Sequence, residues 1–145
     1  MRTLPTALAA ALLGCAAGFA APHTGAAQQQ QEEEKPYRVE NGRVDRATYN
    51  GYRRYGNSCL SCHGPDGAGS SYAPSLTESL KHISREQFTE VVINGRQNVT
   101  TAQQNVMPPF GHVEDVVLYL DDIYGYLKAR SDGALGRGRP QRLEN

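Results

Sequence analysis

The pentapeptide Cys59-Leu60-Ser61-Cys62-His63 constrains this chain more than any other feature of its sequence. Two thiols separated by two residues can form thioether bonds with the two vinyl groups of a haem, and a histidine directly after the second thiol can reach the iron on the same face. We therefore expect Cys59 and Cys62 to attach one haem c covalently and His63 to be an axial ligand of its iron.

The Cys-x-x-Cys spacing also occurs in zinc sites, redox-active dithiols and disulfides. A zinc site needs two more ligands, but no cysteine follows Cys62, and His82 and His112 are not paired at ligand spacing. A redox-active dithiol is typical of a βαβ unit, for which the chain has no pattern. A disulfide between Cys59 and Cys62 stays open, although so small a loop would add little stability.

By elimination, we expect Met107 to be the second axial ligand of the iron. Met107 is the only methionine left once an export signal has been removed. Pro108 and Pro109 follow it, which biases Met107 towards an extended conformation and stiffens its loop, so that the thioether can be held at a fixed reach. The alternatives are a methionine that fills a gap in the core, and His82 or His112 as the ligand.

The ligand pair decides the expected function. A His/Met pair saturates the iron and raises the reduction potential relative to two histidines, which favours a one-electron carrier that is not an enzyme. A vacant or labile sixth position would instead indicate a haem-based sensor of small ligands or a weak peroxidase.

The N-terminus is typical of an export signal, which we assign to residues 1–27. Arg2 precedes an apolar run, and the small residues Gly25-Ala26-Ala27 provide a cleavage site, so the expected location is the periplasm. Leu12-Leu13-Gly14-Cys15 also resembles a lipoprotein signal, so a lipid anchor through Cys15 is the second interpretation. No other segment could span a bilayer, and we expect no transmembrane span in the mature chain.

Composition divides the rest of the chain into three parts. Residues 28–36 consist almost wholly of Gln and Glu and predict a disordered leader, residues 37–130 form the expected domain, and residues 131–145 are a Gly/Arg-rich tail without apolar periodicity. Lys+Arg and Asp+Glu both number 15, so the chain lacks the basic excess typical of nucleic-acid binding and we expect no nucleic-acid partner.

Local patterns predict an all-α domain with long loops. Asp45 can cap a first helix that carries tyrosines at helical spacing, and Ser84 and Gln87 form a capping box for a second helix that stops at Gly95. A third helix is predicted from about residue 114 to 128, where apolar residues recur at spacings of three and four. No hairpin flanked by alternating strands is expected.

Over residues 45–130 the chain resembles the class I c-type cytochromes. Gly51 and Tyr55 match the Gly-x-x-x-aromatic pattern of that family's first helix, and Ile123 and Tyr126 match the partner positions on its last helix. The resemblance implies a small all-α fold with about three main helices, in which loops wrap one covalent haem. It also implies that the last helix crosses the first closely at Gly51.

Two loops extend this resemblance. Pro74-Ser75-Leu76 is similar to the family loop whose proline carbonyl accepts the N–H of the proximal imidazole, which implies that Pro74 orients His63. Met107-Pro108-Pro109-Phe110 is similar to the family's distal loop.

Residues 98–107 and 126–140 resemble c-type cytochromes associated with methanol metabolism. That resemblance implies an electron donor of the quinoprotein class, a pyrroloquinoline-quinone-dependent methanol or alcohol dehydrogenase. It implies as acceptor a downstream cytochrome or a terminal oxidase.

Charge patterning gives a weaker indication about docking. The predicted third helix carries an acidic run and the tail carries a basic one; the residues are Glu114, Asp115, Asp121 and Asp122, then Arg137, Arg139 and Arg142. We interpret the acidic run as a solvated helix face. The tail is interpreted as either a disordered end or a basic arm.

Overall fold

A computed structural model describes residues 34–99 and 104–144. The export signal expected at residues 1–27, the possible anchor at Cys15 and most of the leader expected at residues 28–36 lie outside the described residues. So do residues 100–103, which belong to one of the stretches similar to methanol-associated cytochromes. Within the described ranges, no helix is long and apolar enough to cross a membrane.

Helices dominate the described part of the chain, and short strands join them. The helices are α1 (Arg46–Ser58), α2 (Leu60–His63), α3 (Leu76–Ser79), α4 (Arg85–Asn94), α5 (Glu114–Leu118) and α6 (Leu120–Ser131), with a 3₁₀ turn at Pro65–Gly67. The strands are β1 (Val39–Glu40), β2 (Arg43–Val44), β3 (Arg96–Val99), β4 (Gln104–Met107) and β5 (Gln141–Arg142).

The first two predicted helices begin directly after the capping residues that the sequence indicated. The Asp45 carboxylate accepts a bond of 3.0 Å from the Thr48 N–H at the start of α1. At α4, Ser84 and Gln87 exchange both bonds of a capping box, and Gly95 ends the helix with a φ of +75°. Both predictions are confirmed.

The third predicted helix is wrong in one respect, because it is two helices. α5 ends at Leu118 and α6 begins at Leu120, and between them Tyr119 leaves helical geometry with φ −117° and ψ 24°. The Tyr119 ring lies under the Arg54 guanidinium, 4.2 Å from ring centroid to guanidinium carbon. The spacing of apolar residues continues unchanged through this break, so periodicity could not reveal it.

The expectation that no hairpin occurs is also wrong. Asn41 and Gly42, at φ +50° and +76°, turn the chain between β1 and β2, which is the conformation that Asn-Gly favours in two-residue hairpins. Strands of two residues are too short to show alternation. A second antiparallel hairpin joins β3 to β4 and pairs Arg96 with Met107.

The core is built around the crossing of α1 and α6. A Cβ on Gly51 would lie 1.8 Å from the Asp122 carbonyl oxygen, so the two helix backbones touch at this point. Beside the crossing, the Tyr55 and Tyr126 rings pack with centroids 5.6 Å apart. The close approach predicted at Gly51 is confirmed.

Three of the four acidic residues of α5 and α6 each bind a different side chain of α1 or α4. Asp115 forms an ion pair with Arg54, and Asp121 forms one with Arg85. The Asp122 carboxylate accepts a bond of 2.6 Å from the Asn50 side-chain amide. These residues therefore tie α5 and α6 to α1 and α4.

The Gly/Arg-rich tail packs back onto the domain. Leu135 is buried and its N–H donates to the Ala129 carbonyl over 3.0 Å. Farther on, β5 pairs in parallel with β2, and the Leu143 N–H donates to the Val44 carbonyl over 2.8 Å. We call residues 135–144 the C-terminal strap.

We predict that Gly51→Ala lowers the free energy of unfolding of the haem-loaded protein by about 3 kcal/mol, because the new methyl group forces two backbones apart. Urea unfolding followed by circular dichroism measures this loss. Gly56→Ala is the matched control on the same helix, where a Cβ meets nothing within 4 Å. It should raise stability by about 0.5 to 1 kcal/mol. Equal effects of the two substitutions would contradict the crossing.

Candidate haem site

The two thiols and the imidazole of the pentapeptide lie on one short helical segment. α1 ends at Ser58, the Cys59 N–H still donates to the Tyr55 carbonyl over 2.9 Å, and the His63 N–H donates to the Cys59 carbonyl over 2.9 Å. His63 is buried, Cys59 is half-buried and Cys62 is exposed. α1 therefore delivers Cys59, Cys62 and His63 to a single turn of the chain.

The His63 ring is oriented by the loop that follows it. Its Nδ1 lies 3.0 Å from the Pro74 carbonyl oxygen. A carbonyl only accepts, so Nδ1 donates, and in the neutral ring this tautomer leaves the Nε2 lone pair for a metal. The Gly69 N–H fixes the same turn by donating to the His63 carbonyl over 2.8 Å.

The Tyr55 hydroxyl binds the backbone of the turn that follows His63. Its hydroxyl donates to the Gly64 carbonyl and accepts a bond of 3.1 Å from the Gly67 N–H. Burial is the main cause that raises the pKa of Tyr55 to about 12. The sequence identified Tyr55 only as a helix-packing residue, because bonds to backbone atoms nine and twelve positions away leave no sequence pattern.

Asp66 is a site residue that sequence reasoning missed. It lies in the 3₁₀ turn at φ +62°, and its carboxylate is 3.2 Å from the Arg130 guanidinium, 3.2 Å from that of Arg137 and 3.1 Å from the Gly138 N–H. Arg130 is almost fully buried and also donates to the Leu135 and Gly136 carbonyls. The Asp66 cluster, meaning Asp66 with Arg130, Arg137 and Gly138, thus joins the C-terminal strap to the turn behind His63.

Met107 lies on a different element, at the end of β4. Its side chain is half-buried and packs against the core. A Cβ on Gly95 would lie 2.6 Å from the Met107 carbonyl oxygen, so the backbone of this residue is held against the end of α4. His82 and His112, the competing ligands, are both exposed.

The residues of the site fit haem c. Cys59 and Cys62 are free thiols rather than a disulfide, as thioether formation with haem vinyl groups requires. Burial raises the pKa of the Cys59 thiol to about 11. Within the described ranges, no group of three or more His, Cys, Asp or Glu side chains could hold a metal ion.

We predict that Tyr55→Phe weakens the protein by about 1 to 2 kcal/mol at pH 7, because the Gly67 N–H and Gly64 carbonyl lose their buried partner. The substitution should also flatten the fall of stability at high pH. In the parent, the folded state keeps the Tyr55 proton up to about pH 12. The unfolded state loses it near pH 10, so the free energy of unfolding falls between these values.

Urea unfolding of the haem-loaded protein at several pH values measures both effects. Tyr72→Phe is the control, since Tyr72 is 76% exposed. A pH profile of Tyr55→Phe that is parallel to that of the parent above pH 10 would show that the Tyr55 proton is not linked to folding.

Known proteins similar to this chain agree on a family. The family described as cytochrome c oxidase, cbb3-type, subunit III matches residues 46–127. Cytochrome c-553I of Paracoccus denitrificans is 49% identical over 115 residues, which are 79% of this chain and 51% of that protein, so the match spans about half the length of this relative. Cytochrome c-555 of Methylococcus capsulatus is 40% identical over 136 residues, which are 92% of this chain and 87% of the relative.

A solved structure shows the same fold. The c-type cytochrome XoxG from Methylobacterium extorquens AM1 superimposes with a TM-score of 0.65 at 41% identity, covering 79% of this chain and 76% of that one. The predicted fold class is therefore confirmed. The chain belongs to the class I c-type cytochromes, a family of electron carriers that bind haem c covalently.

Proposed function

We propose that this cytochrome accepts electrons in the periplasm from a pyrroloquinoline-quinone-dependent methanol or alcohol dehydrogenase and passes them to a downstream cytochrome or a terminal oxidase. The observation that carries the proposal is where the two methanol-associated stretches lie. Residues 98–107 end in β4 with Met107, and residues 126–140 supply Arg130, Arg137 and Gly138 to the Asp66 cluster. One of these stretches therefore contacts the turn behind His63, and the other carries the proposed ligand Met107.

The proposed haem ligands come from two parts of the chain. Cys59 and Cys62 would hold the porphyrin through thioethers, and His63 Nε2 would bind the iron, with its ring oriented by the Pro74 carbonyl. Met107 Sδ, at the end of β4, would be the second ligand of the iron. Once bound, haem c provides a one-electron couple at its iron.

A one-electron carrier suits the proposed donor. Oxidation of an alcohol to an aldehyde releases two electrons and two protons, which leave the dehydrogenase quinone in its reduced form. A single iron takes one of these electrons, so each alcohol oxidised reduces two molecules of the cytochrome. The periplasmic location in this proposal rests on the export signal at residues 1–27.

We predict that Met107→Ala opens a coordination position without releasing the haem, because Cys59 and Cys62 hold the porphyrin independently of β4. The reduced variant should bind carbon monoxide readily and the parent poorly, as followed by absorption spectroscopy. Acid acetone should leave the haem on both polypeptides.

His112→Ala is the control for this substitution, because His112 is exposed and should be no ligand. If the parent bound carbon monoxide as readily as Met107→Ala, the iron would already have a labile position. That result would favour a sensor or a weak peroxidase over the carrier.

We predict that methanol reduces the oxidised cytochrome in the presence of the methanol dehydrogenase of the same organism. Two molecules of cytochrome should be reduced for each methanol consumed, as measured by the haem absorption change. Omission of methanol is the control. Rapid reduction by another periplasmic donor, with none from the dehydrogenase, would remove the methanol pathway and leave the carrier.

A further inference from the structure

A cavity of about 650 Å³ lies between α1 and the C-terminal strap. We call it the arginine cleft. Its walls include Arg53 and Asn57 from α1, Arg139 and Arg142 from the strap, and the rings of Tyr49 and Tyr52. A second cavity of about 580 Å³ adjoins it and shares three of these residues, and its walls add Arg46, Arg54 and the acidic Asp122.

Among the described residues, the arginines of the arginine cleft are not paired with acidic side chains. No acidic side chain lines the larger cavity, and within the described ranges Arg53, Arg139 and Arg142 form no ion pair. Arg139 donates instead to the Tyr49 hydroxyl over 2.8 Å, and the Arg142 guanidinium lies 5.6 Å from the Tyr49 ring centroid. Gathering like charges is unfavourable, so the arrangement suits an anion that neutralises them.

The fold brings these arginines together before any ligand arrives. The Asp66 cluster fixes Arg137 and Gly138, directly before Arg139. The pairing of β5 with β2 fixes Arg142. Both contacts hold the strap opposite Arg53, so the arginine cleft is preformed.

The arginine cleft lies near the haem attachment residues. Arg53 lies on α1 and precedes Cys59, the residue that follows this helix, by six positions, about 9 Å along the helix axis. From the cleft wall, the Tyr52 ring contacts Tyr126 and the Tyr126 ring contacts Tyr55, each with centroids 5.6 Å apart. A partner seated in the cleft would therefore lie close to the segment that carries Cys59 and His63.

We propose that the arginine cleft docks carboxylate groups on an acidic surface of the protein that exchanges electrons with this cytochrome. The three arginines are exposed and the cleft is open, which suits side chains presented by a protein surface better than a buried small molecule. Guanidinium groups bind carboxylates in bidentate fashion. Electron-transfer encounters are small and brief, so a local charged patch is enough to set their association rate.

The first test measures binding to the haem-loaded protein with an octaglutamate peptide as the probe, by ¹⁵N NMR at low ionic strength. Resonances of Arg53, Gly56, Arg139 and Arg142 should shift. Arg53→Gln and Arg142→Gln should each raise the dissociation constant by about threefold or more. Arg53 is exposed and without an ion pair in the described ranges, so its replacement leaves the fold intact.

Arg38→Gln is the matched control, because it removes the same charge from an arginine outside the cleft whose side chain is 67% exposed. An equal loss of binding in Arg38→Gln, or shifts spread over the whole surface, would overturn the proposal. Inorganic phosphate or citrate that binds as tightly as the peptide would also overturn it, because the cleft would then be a site for small anions.

The second test measures both electron-transfer steps, which are reduction by the dehydrogenase and oxidation by membranes that contain the terminal oxidase. At low ionic strength, at least one rate should fall about threefold in Arg53→Gln and stay unchanged in Arg38→Gln. Unchanged rates in both steps would overturn the proposal. The inference rests on the carrier role and not on the identity of the donor, so failure of methanol-dependent reduction leaves the peptide and oxidation measurements decisive.

Discussion

The direct contact of the α1 and α6 backbones at Gly51 positions every other part of this cytochrome. α1 runs from that contact into Cys59, and α6 runs from it to Arg130. If the helices separated, the haem attachment turn after α1 would no longer be held next to Arg130 and Tyr126 on α6. A missing side chain at Gly51 and paired aromatic rings at Tyr55 and Tyr126 therefore set the geometry of the site.

The turn that carries His63 is held by bonds from several directions rather than by its own helical structure. α2 has only four residues and could not persist alone. Tyr55 binds the Gly64 and Gly67 backbone, the Asp66 cluster binds the 3₁₀ turn, and the Pro74 carbonyl binds the ring. Each is a polar interaction with a specific geometry, which is the kind of support that keeps a metal ligand in one orientation.

The C-terminal strap links the haem site to the surface. Asp66 lies between the two, since it accepts from buried Arg130 on α6 and from Arg137 and Gly138 on the strap. The same strap carries Arg139 and Arg142 to the arginine cleft. The Asp66 carboxylate thus stabilises the turn behind His63 and also arranges the proposed docking surface.

The sequence by itself determined the helical class, the caps at Asp45 and Ser84 and the attachment motif from Cys59 to His63, because each depends on residues near in the chain or on a specific spacing. The close approach at Gly51 was implied by the resemblance to the class I c-type cytochromes. Only the tertiary structure decided the break at Tyr119, the packing of the strap and the Asp66 cluster. These features join atoms that are distant in sequence. Asp66 and Arg130 are 64 positions apart, and no local propensity or periodicity records that a buried charge will find its partner there.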